Sequence, residues 1–301
     1  MKRSRQAVII AFIANLTIAV FKFTAAFFGK SSSMLAEAYH SFSDTFNQVF
    51  LFIGIRQSKK KPDEQHPFGY GKEQYFWSFI VAILLFGVAG GLSVRNGYEK
   101  LFHGHPLEHI ALSYAALALG FLLDGYALSV AYGQIKKFMK REKIKNIFQA
   151  IKHSKNSVII TVFFEDSLAL VGILIAATGI TLTYLTGKLI FDSIASIVIG
   201  VMLMIFAFLL AYEVKKLLIG ETMSRRKKNQ IREIVTSFKE VNRVIRLHTM
   251  HMSAEEVLVV IEVNFKDELK VKRLEKVINQ ICEKVKEIMP HAQVIVEAED
   301  K

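Results

Sequence analysis

The chain has 301 residues, of which 52% are hydrophobic and 22% charged, with a mean hydropathy of +0.32 and a net charge of +12. The basic residues stand mostly beside the ends of apolar runs, as topology determinants do, so the charge does not indicate a nucleic-acid partner. The one cysteine, Cys282, excludes an internal disulfide framework and a cysteine-rich metal site.

Six apolar stretches are long enough to cross the roughly 30 Å hydrocarbon layer as helices. Residues from 219 onward have the composition of an ordinary soluble segment. We therefore predict a transmembrane transport domain over 1–218 and a cytoplasmic dimerisation domain over 219–301. The six predicted spans are 7–28, 33–55, 75–98, 110–133, 156–179 and 189–213.

Loop charge predicts the orientation of these spans. Basic residues crowd the N-terminus and the loops after the second and fourth spans, the latter with eight between Lys136 and Lys155. The connections after the third and fifth spans hold few basic residues. The positive-inside rule then predicts both termini on the cytoplasmic side. We expect a multi-pass protein of the cell (inner) membrane.

The second and fifth predicted spans contain ionisable residues, which are costly inside a bilayer and usually have a function there. Glu37, His40 and Asp44 lie in the second span, and Glu165 and Asp166 in the fifth. His40 and Asp44 are four residues apart, so both project from one face of a helix. An imidazole together with carboxylates suits zinc or another divalent transition metal. The pattern predicts metal handling within the membrane.

The depth of these residues supports one shared site. At 1.5 Å per residue, Asp44 and Asp166 each lie about 15 Å from the ends of their spans, near the bilayer midplane. Asp166 is the clearer ligand of the fifth span. Neighbouring helix residues point about 100° apart, so ligation by Glu165 requires a distorted helix or a side chain that reaches around. Glu37 lies nearer the outer rim, and both ligation and an access-path role stay open for it.

Other residues in the predicted spans leave several interpretations open. Asp124, in the fourth span, suits a proton site, an ion pair or a satisfied polar contact. Asp192 opens the sixth span and is explained by a helix N-cap. Glycines at 87, 90 and 91 in the third span predict a close packing face.

The soluble tail has a readable periodicity. It predicts an amphipathic helix over 225–239, strands over 243–251 and 256–265, a helix over 268–288 and a last strand over 293–298. This order gives a small α+β domain with one open sheet face, which is common in dimerisation modules.

Four segments together resemble the cation diffusion facilitator family, and two of them its zinc-transporter-nine-like branch. The segments are SSSMLAEAYHSFSDTFNQ, HPFGYGKEQYFW, FFEDSLALVGILIAATG and FDSIASIVIG. The resemblance implies a homodimeric metal/proton antiporter with six helices and a cytoplasmic ferredoxin-like (metallochaperone-like) domain.

The resemblance also implies a four-ligand site, with two residues from the second span and two from the fifth. The first pair falls on His40 and Asp44, and the aspartate of the fifth span on Asp166. Its partner one turn earlier falls on Val162, which cannot ligate a metal. Glu165 or a water is then expected to complete the set.

Two accessory sites of the family depart from its pattern in this chain. In the loop after the second span, Asp63 and His66 match, but Tyr70 replaces a histidine. In the tail, the zinc-binding histidines of the family align with Ile245, Glu262 and Ile295. We therefore expect the tail to dimerise without the usual paired-zinc site.

These observations predict a transporter, not an enzyme, that exports a divalent metal by exchange with protons through alternating access. Zinc (Zn2+) is the expected substrate, and manganese, iron or cobalt (Mn2+, Fe2+ or Co2+) would suit the same ligands. Histidine suits such an exchange because its reference pKa is about 6.5. An intramembrane metal-dependent enzyme and a metal sensor are the alternatives from other classes. The expected partners are the metal ion, protons, the membrane and a second copy of the chain.

Overall fold

A computed structural model describes residues 2–142 and 157–300. The chain forms two compact units, Met1–Val49 with Val81–Leu210, and Phe50–Ile80 with Ala211–Lys301. Part of the basic loop predicted between the fourth and fifth spans, residues 143–156, lies outside the described residues.

Long helices make up the first unit and continue into the second. One of them is interrupted by a π-helix at Leu85–Gly91, which joins α3 to α4 without a break in the chain's helical path. The helices are α1 (Lys2–Gly29), α2 (Ser32–Ser58), α3 (Glu73–Leu84), α4 (Leu92–His103), α5 (Ile110–Glu142), α6 (Ser157–Thr186) and α7 (Ile190–Ile219).

Four stretches are long and apolar enough to cross a membrane by length and composition, and they correspond to the third to sixth predicted spans. Within the described residues, the first predicted span contributes a shorter apolar helix, Asn15–Gly29. The second forms α2, which is 27 residues long but carries several polar side chains. Among the described residues, the structure thus supports four of the six predicted membrane spans. The four are Glu73–His103, Ile110–Lys137, Phe163–Thr186 and Ile190–Ile219.

Several helices continue beyond their predicted ends. Helix α5 reaches Glu142, α6 reaches Thr186 and α7 reaches Ile219. In α5 the apolar span ends at Lys137, and the polar continuation to Glu142 gives no hydrophobic signal, whereas the apolar spans of α6 and α7 run to the helix ends. Helices α6 and α7 end before Gly187 (φ 69°) and Gly220 (φ 113°), where glycine tolerates the left-handed backbone that terminates a helix.

The interior of the first unit is built mainly from small and aliphatic side chains, and helix α5 packs along α6 and against α1. The predicted glycine packing face is confirmed at Gly90. A Cβ at the facing Gly200 of α7 would lie 2.7 Å from the Gly90 carbonyl oxygen. Gly87 does not contribute, since nothing lies within 4 Å of a Cβ built there.

The second unit contains an α+β fold in the predicted order, helix-strand-strand-helix-strand. Its three-stranded sheet has the order β1-β2-β3, with β1 antiparallel and β3 parallel to β2. The elements are α8 (Arg225–Thr236), β1 (Val241–His251), β2 (Val257–Phe265), α9 (Val271–Ile288) and β3 (Ala292–Ala298).

Side chains alternate along β2 between the two faces of this sheet. Odd-numbered residues, such as Val259 and Ile261, are buried in one cluster with Ile231 of α8 and Ile281 of α9. Both helices therefore cover one face. Even-numbered residues, such as Val260, project from the opposite face.

Candidate metal site in the transmembrane helices

The polar face of α2 carries the predicted pair His40 and Asp44. His40 Nε2 lies 3.5 Å from Asp44 Oδ2, and the two side chains are 4% and 35% exposed. In the described part of the chain, neither ring nitrogen of His40 has a hydrogen-bond partner. A buried polar atom without a partner is unfavourable. The imidazole is therefore free to bind a ligand that the protein alone does not supply.

Helix α6 brings the second pair of acidic residues to α2. Glu165 Oε1 accepts a hydrogen bond of 3.0 Å from Asn47 Nδ2, one turn beyond Asp44 on α2. Asp166 Oδ2 is buried and has no hydrogen-bond partner among the described residues. Asn47 was not predicted as part of the site, because an amide in a polar helix face has no distinctive spacing.

The carboxylates of this region interact electrostatically. Asp44 interacts with Asp124 of α5, and Asp166 interacts with both. Glu165 interacts with Asp44 and Asp166. Like charges in a region of low dielectric constant repel strongly, and a bound cation would relieve that repulsion. Asp124 therefore belongs to the same acidic group as the predicted ligands.

The described side chains do not form a closed metal-binding shell. Over residues 2–142 and 157–300, no group of three or more His, Cys, Asp or Glu side chains is close enough to hold a metal ion. Val162, where the family places a ligand, lies on α6, but its side chain is outside the described residues. The ligand set of His40, Asp44, Asp166 and Glu165 stays a prediction.

A buried ion pair lies one turn from His40. Lys22 Nζ of α1 donates to Glu37 Oε2 at 3.0 Å, and both side chains are fully buried. The other carboxylate oxygen of Glu37 has no hydrogen-bond partner among the described residues. Lys22 was not predicted from the sequence. A lysine inside an apolar stretch was the available signal.

Asp192 corrects the prediction that it caps its own helix. Its helix begins at Ile190, and its carboxylate is directed to the N-terminus of α2 instead. It accepts hydrogen bonds from Ser31 Oγ at 2.7 Å, from the Ser32 backbone N–H at 2.7 Å and from the hydroxyl of Ser33. Lys100 Nζ of α4 completes the group at 2.8 Å. The free N–H groups at the start of α2 attract the carboxylate, and sequence spacing within α7 cannot reveal that partner.

The predicted accessory site in the loop after α2 is a hydrogen-bonded turn. Asp63 accepts from the Tyr70 hydroxyl at 2.6 Å and from the His66 backbone N–H at 2.8 Å. These hydrogen bonds hold the pKa of Asp63 below its usual value, the one from Tyr70 most strongly. Tyr70 thus donates to one carboxylate oxygen of Asp63, and the His66 backbone donates to the other.

The tail positions that align with the family's zinc-binding histidines lie on the sheet. Ile245 and Ile295 have no ligating atom in their side chains. The Glu262 carboxylate lies 3.6 Å from Arg246 of the neighbouring strand. Dimerisation without a paired-zinc site stays a prediction.

Two family models match the chain. The model described as the cation efflux transmembrane domain matches residues 8–219. The model described as the cation efflux protein, cytoplasmic domain, matches residues 223–301.

Curated proteins from animals and plants are similar to most of the chain. "Proton-coupled zinc antiporter SLC30A9, mitochondrial" of Xenopus laevis is 32% identical over 88% of this chain and 47% of its own length. The protein of that name from Homo sapiens is 30% identical over 86% of this chain and 45% of its own length. "Metal tolerance protein C4" of Arabidopsis thaliana is 32% identical over 74% of this chain and 48% of its own length. The chain spans about half the length of the curated relatives it matches.

Proposed function

This chain belongs to the cation efflux family, and we propose that it carries a divalent metal cation, zinc in the first place, across a membrane in exchange for protons. Membership of a transport family argues against the enzyme alternative. The names of the animal relatives, which are proton-coupled zinc antiporters, support zinc as cargo and protons as the counter-ion.

The proposed ligands are His40, Asp44 and Asp166, with Glu165 or a water as the fourth. One observation carries this assignment. The buried ring nitrogens of His40 lack hydrogen-bond partners among the described residues, beside an interacting group of carboxylates. Such a group is unfavourable in an apolar helix bundle unless a cation or protons neutralise it.

The exchange follows from competition for the same groups. Imidazole and carboxylate groups bind a metal ion only when they are deprotonated, so protons arriving from the far side displace the cargo. Alternating access then requires two conformations of the helices, and the bound cargo shifts the balance between them. Manganese, iron and cobalt suit oxygen-rich sites as well, so selectivity is part of the test.

The remaining features of the proposal concern architecture. The proposed architecture has six membrane spans, with α1 and α2 among them. A boundary near residue 218 divides the transport domain from a cytoplasmic ferredoxin-like (metallochaperone-like) domain. Both termini face the cytoplasm of a cell whose inner membrane holds the protein. The cytoplasmic domain pairs two copies of the chain, since a small α+β domain with one open sheet face is common in dimerisation modules.

A flux assay tests the transport proposal. We expect Asp44→Asn and Asp166→Asn each to lower zinc uptake into proteoliposomes with an imposed pH gradient by at least about tenfold, since each removes a charged ligand. Uptake is measured with an internal zinc-sensitive dye, and proton movement with a pH-sensitive dye. Competition with the other three metals ranks selectivity.

The matched control is Glu99→Gln, which neutralises an exposed carboxylate that pairs with Arg95 on α4. It should transport like the unaltered protein. Unchanged, proton-dependent zinc uptake in both aspartate variants would refute the assigned site. The absence of any metal flux from the unaltered protein would refute the function.

A further inference from the structure

We propose that Lys22 is a positioning residue of the transport reaction: its ion pair with Glu37 closes one side of the acidic site, and the metal passes only when the two separate. This inference rests on the proposed function.

The pair is enclosed by four helices. Lys22 Nζ of α1 and Glu37 Oε2 of α2 are 3.0 Å apart, and both side chains are fully buried. Glycines on the two other helices provide the space. A Cβ at Gly120 of α5 would lie 3.0 Å from Lys22 Cε and 3.2 Å from its Nζ, and a Cβ at Gly172 of α6 would collide with Glu37 Oε1. The pair therefore fills the gap that α1, α2, α5 and α6 leave between them.

The exposure of the polar side chains along α2 increases from Glu37 to Asp44. Glu37 is three residues before His40, about 4.5 Å along the helix axis. The Glu37 side chain is fully buried, the His40 side chain nearly so, and that of Asp44 is 35% exposed. In this conformation the Asp44 side chain is the most exposed of the three and the Glu37 side chain the least.

The positive charge of Lys22 explains how the ion pair would exclude a metal ion. Its ammonium interacts electrostatically with Asp44 and Asp124 as well as with Glu37. A divalent cation moving from His40 past Glu37 would meet this ammonium at short range and be repelled. When Lys22 moves away, Glu37 Oε2 is freed as well as Oε1, and the barrier becomes a carboxylate that attracts the cation.

A purely structural role explains the pair less well. Well-packed apolar side chains usually stabilise a core as much as a buried ion pair does. Here the pair also leaves Glu37 Oε1 without a hydrogen-bond partner in the described part of the chain. A costly, incompletely satisfied ion pair directly beside an ion site is what a separable contact requires.

The test measures leakage through the closed side. Purified full-length protein in proteoliposomes is compared with the double variant Lys22→Met/Glu37→Gln, which keeps the side-chain volumes and leaves no unpaired charge. We expect metal-independent proton flux down a pH gradient to rise at least about tenfold, as a shift in a two-state closure would produce. Zinc affinity in detergent, measured by calorimetry, should stay within about threefold, because Glu37 is not a ligand in this scheme.

The swapped pair Lys22→Glu/Glu37→Lys is the second variant. It restores an ion pair with the two charges exchanged, so its proton leak should be as low as that of the unaltered protein. If neither double variant is monodisperse, Gly120→Ala replaces them, since it displaces Lys22 and keeps both charges. Its matched control is Gly133→Ala on the same helix, where nothing lies within 4 Å of an added Cβ. A leak in Gly120→Ala alone supports the proposal.

Three results would overturn the inference. One is a folded neutral double variant without a leak. Another is loss of zinc binding in that variant, which would make Glu37 a ligand. The third is equal proton flux through Gly120→Ala and Gly133→Ala, in the case where neither double variant is monodisperse. Failure of the proposed function has a different signature, namely no zinc uptake by the unaltered protein.

Discussion

Asp192 illustrates how one buried carboxylate can join three helices. It accepts hydrogen bonds from Ser32 at the start of α2 and from Lys100 of α4, and it belongs to α7. We predict that Asp192→Asn lowers the free energy of unfolding by roughly 3–5 kcal/mol, because it leaves the buried ammonium of Lys100 without its charge partner. Thermal unfolding of the detergent-solubilised protein measures this loss.

The control for that prediction is Glu213→Gln, a change of the same kind on the same helix. Glu213 forms an exposed ion pair with Lys216, so its loss should leave the unfolding temperature near that of the unaltered protein. Equal unfolding temperatures for the two variants would show that Asp192 does not hold the helix ends together.

The residues of the site differ in how far the sequence could identify them. His40 and Asp44 stood out because their spacing puts two ligand types on one helix face inside an apolar stretch. Lys22 was missed because a single lysine forms no pattern, and its importance appears only when α1 meets Glu37. The expectation for Asp192 was wrong for a similar reason. Its capping partner lies 160 residues away in the chain, where no local rule reaches.

Close backbone contact fixes the π-helix and α4 against α7. A Cβ at Gly200 would lie 2.7 Å from the Gly90 carbonyl oxygen and 2.8 Å from the Val94 backbone nitrogen. Because backbone atoms cannot move aside cheaply, we predict that Gly200→Ala lowers the free energy of unfolding by about 1–3 kcal/mol. The unfolding temperature in detergent is again the measurement.

Gly87 supplies the matched control, since it lies in the same π-helix and nothing is within 4 Å of an added Cβ. Gly87→Ala should be neutral or stabilise the protein by about 0.5–1 kcal/mol through reduced chain entropy. If Gly200→Ala proved as stable as Gly87→Ala, the two segments would be less tightly packed than their backbone distances indicate.

At the level of elements, the periodicity of the sequence predicted the type and order of helices and strands better than their boundaries. The helix-strand order of the tail was correct because alternation along β2 and the helical repeat of α9 are both strong signals. The end of α5 was placed too early, since its last turn is polar and lies beyond the apolar span that ends at Lys137. The π-helix was not predicted, because a local change to i→i+5 hydrogen bonding inside a helix has no distinctive composition.

The molecule combines an apolar helical unit with an α+β unit in which, among the described residues, neither helix covers one of the two sheet faces. Helices α8 and α9 cover the opposite face. The uncovered face presents apolar residues from two neighbouring strands, among them Val260 and the 47% exposed Ile295. Polar residues such as Arg246 and Glu262 share this face, and an apolar patch with a polar surround is typical of an interface between copies. The match to the cytoplasmic cation efflux domain supports the same conclusion.

Ile295→Lys tests whether this face joins two copies. A lysine there would place two like charges in or near an apolar contact, and we predict that the dimer dissociates at least about tenfold more readily, as expected for a buried interface position. Mass photometry of the detergent-solubilised protein over a dilution series measures the change. The control is Ile288→Lys on α9, which alters an isoleucine of 45% exposure in the same unit but not on the sheet face. Because both variants add one positive charge and remove one isoleucine, a dimer that weakens only in Ile295→Lys assigns the interface to the sheet. Equal dissociation in the two, or none, would place the contact between copies elsewhere in the molecule.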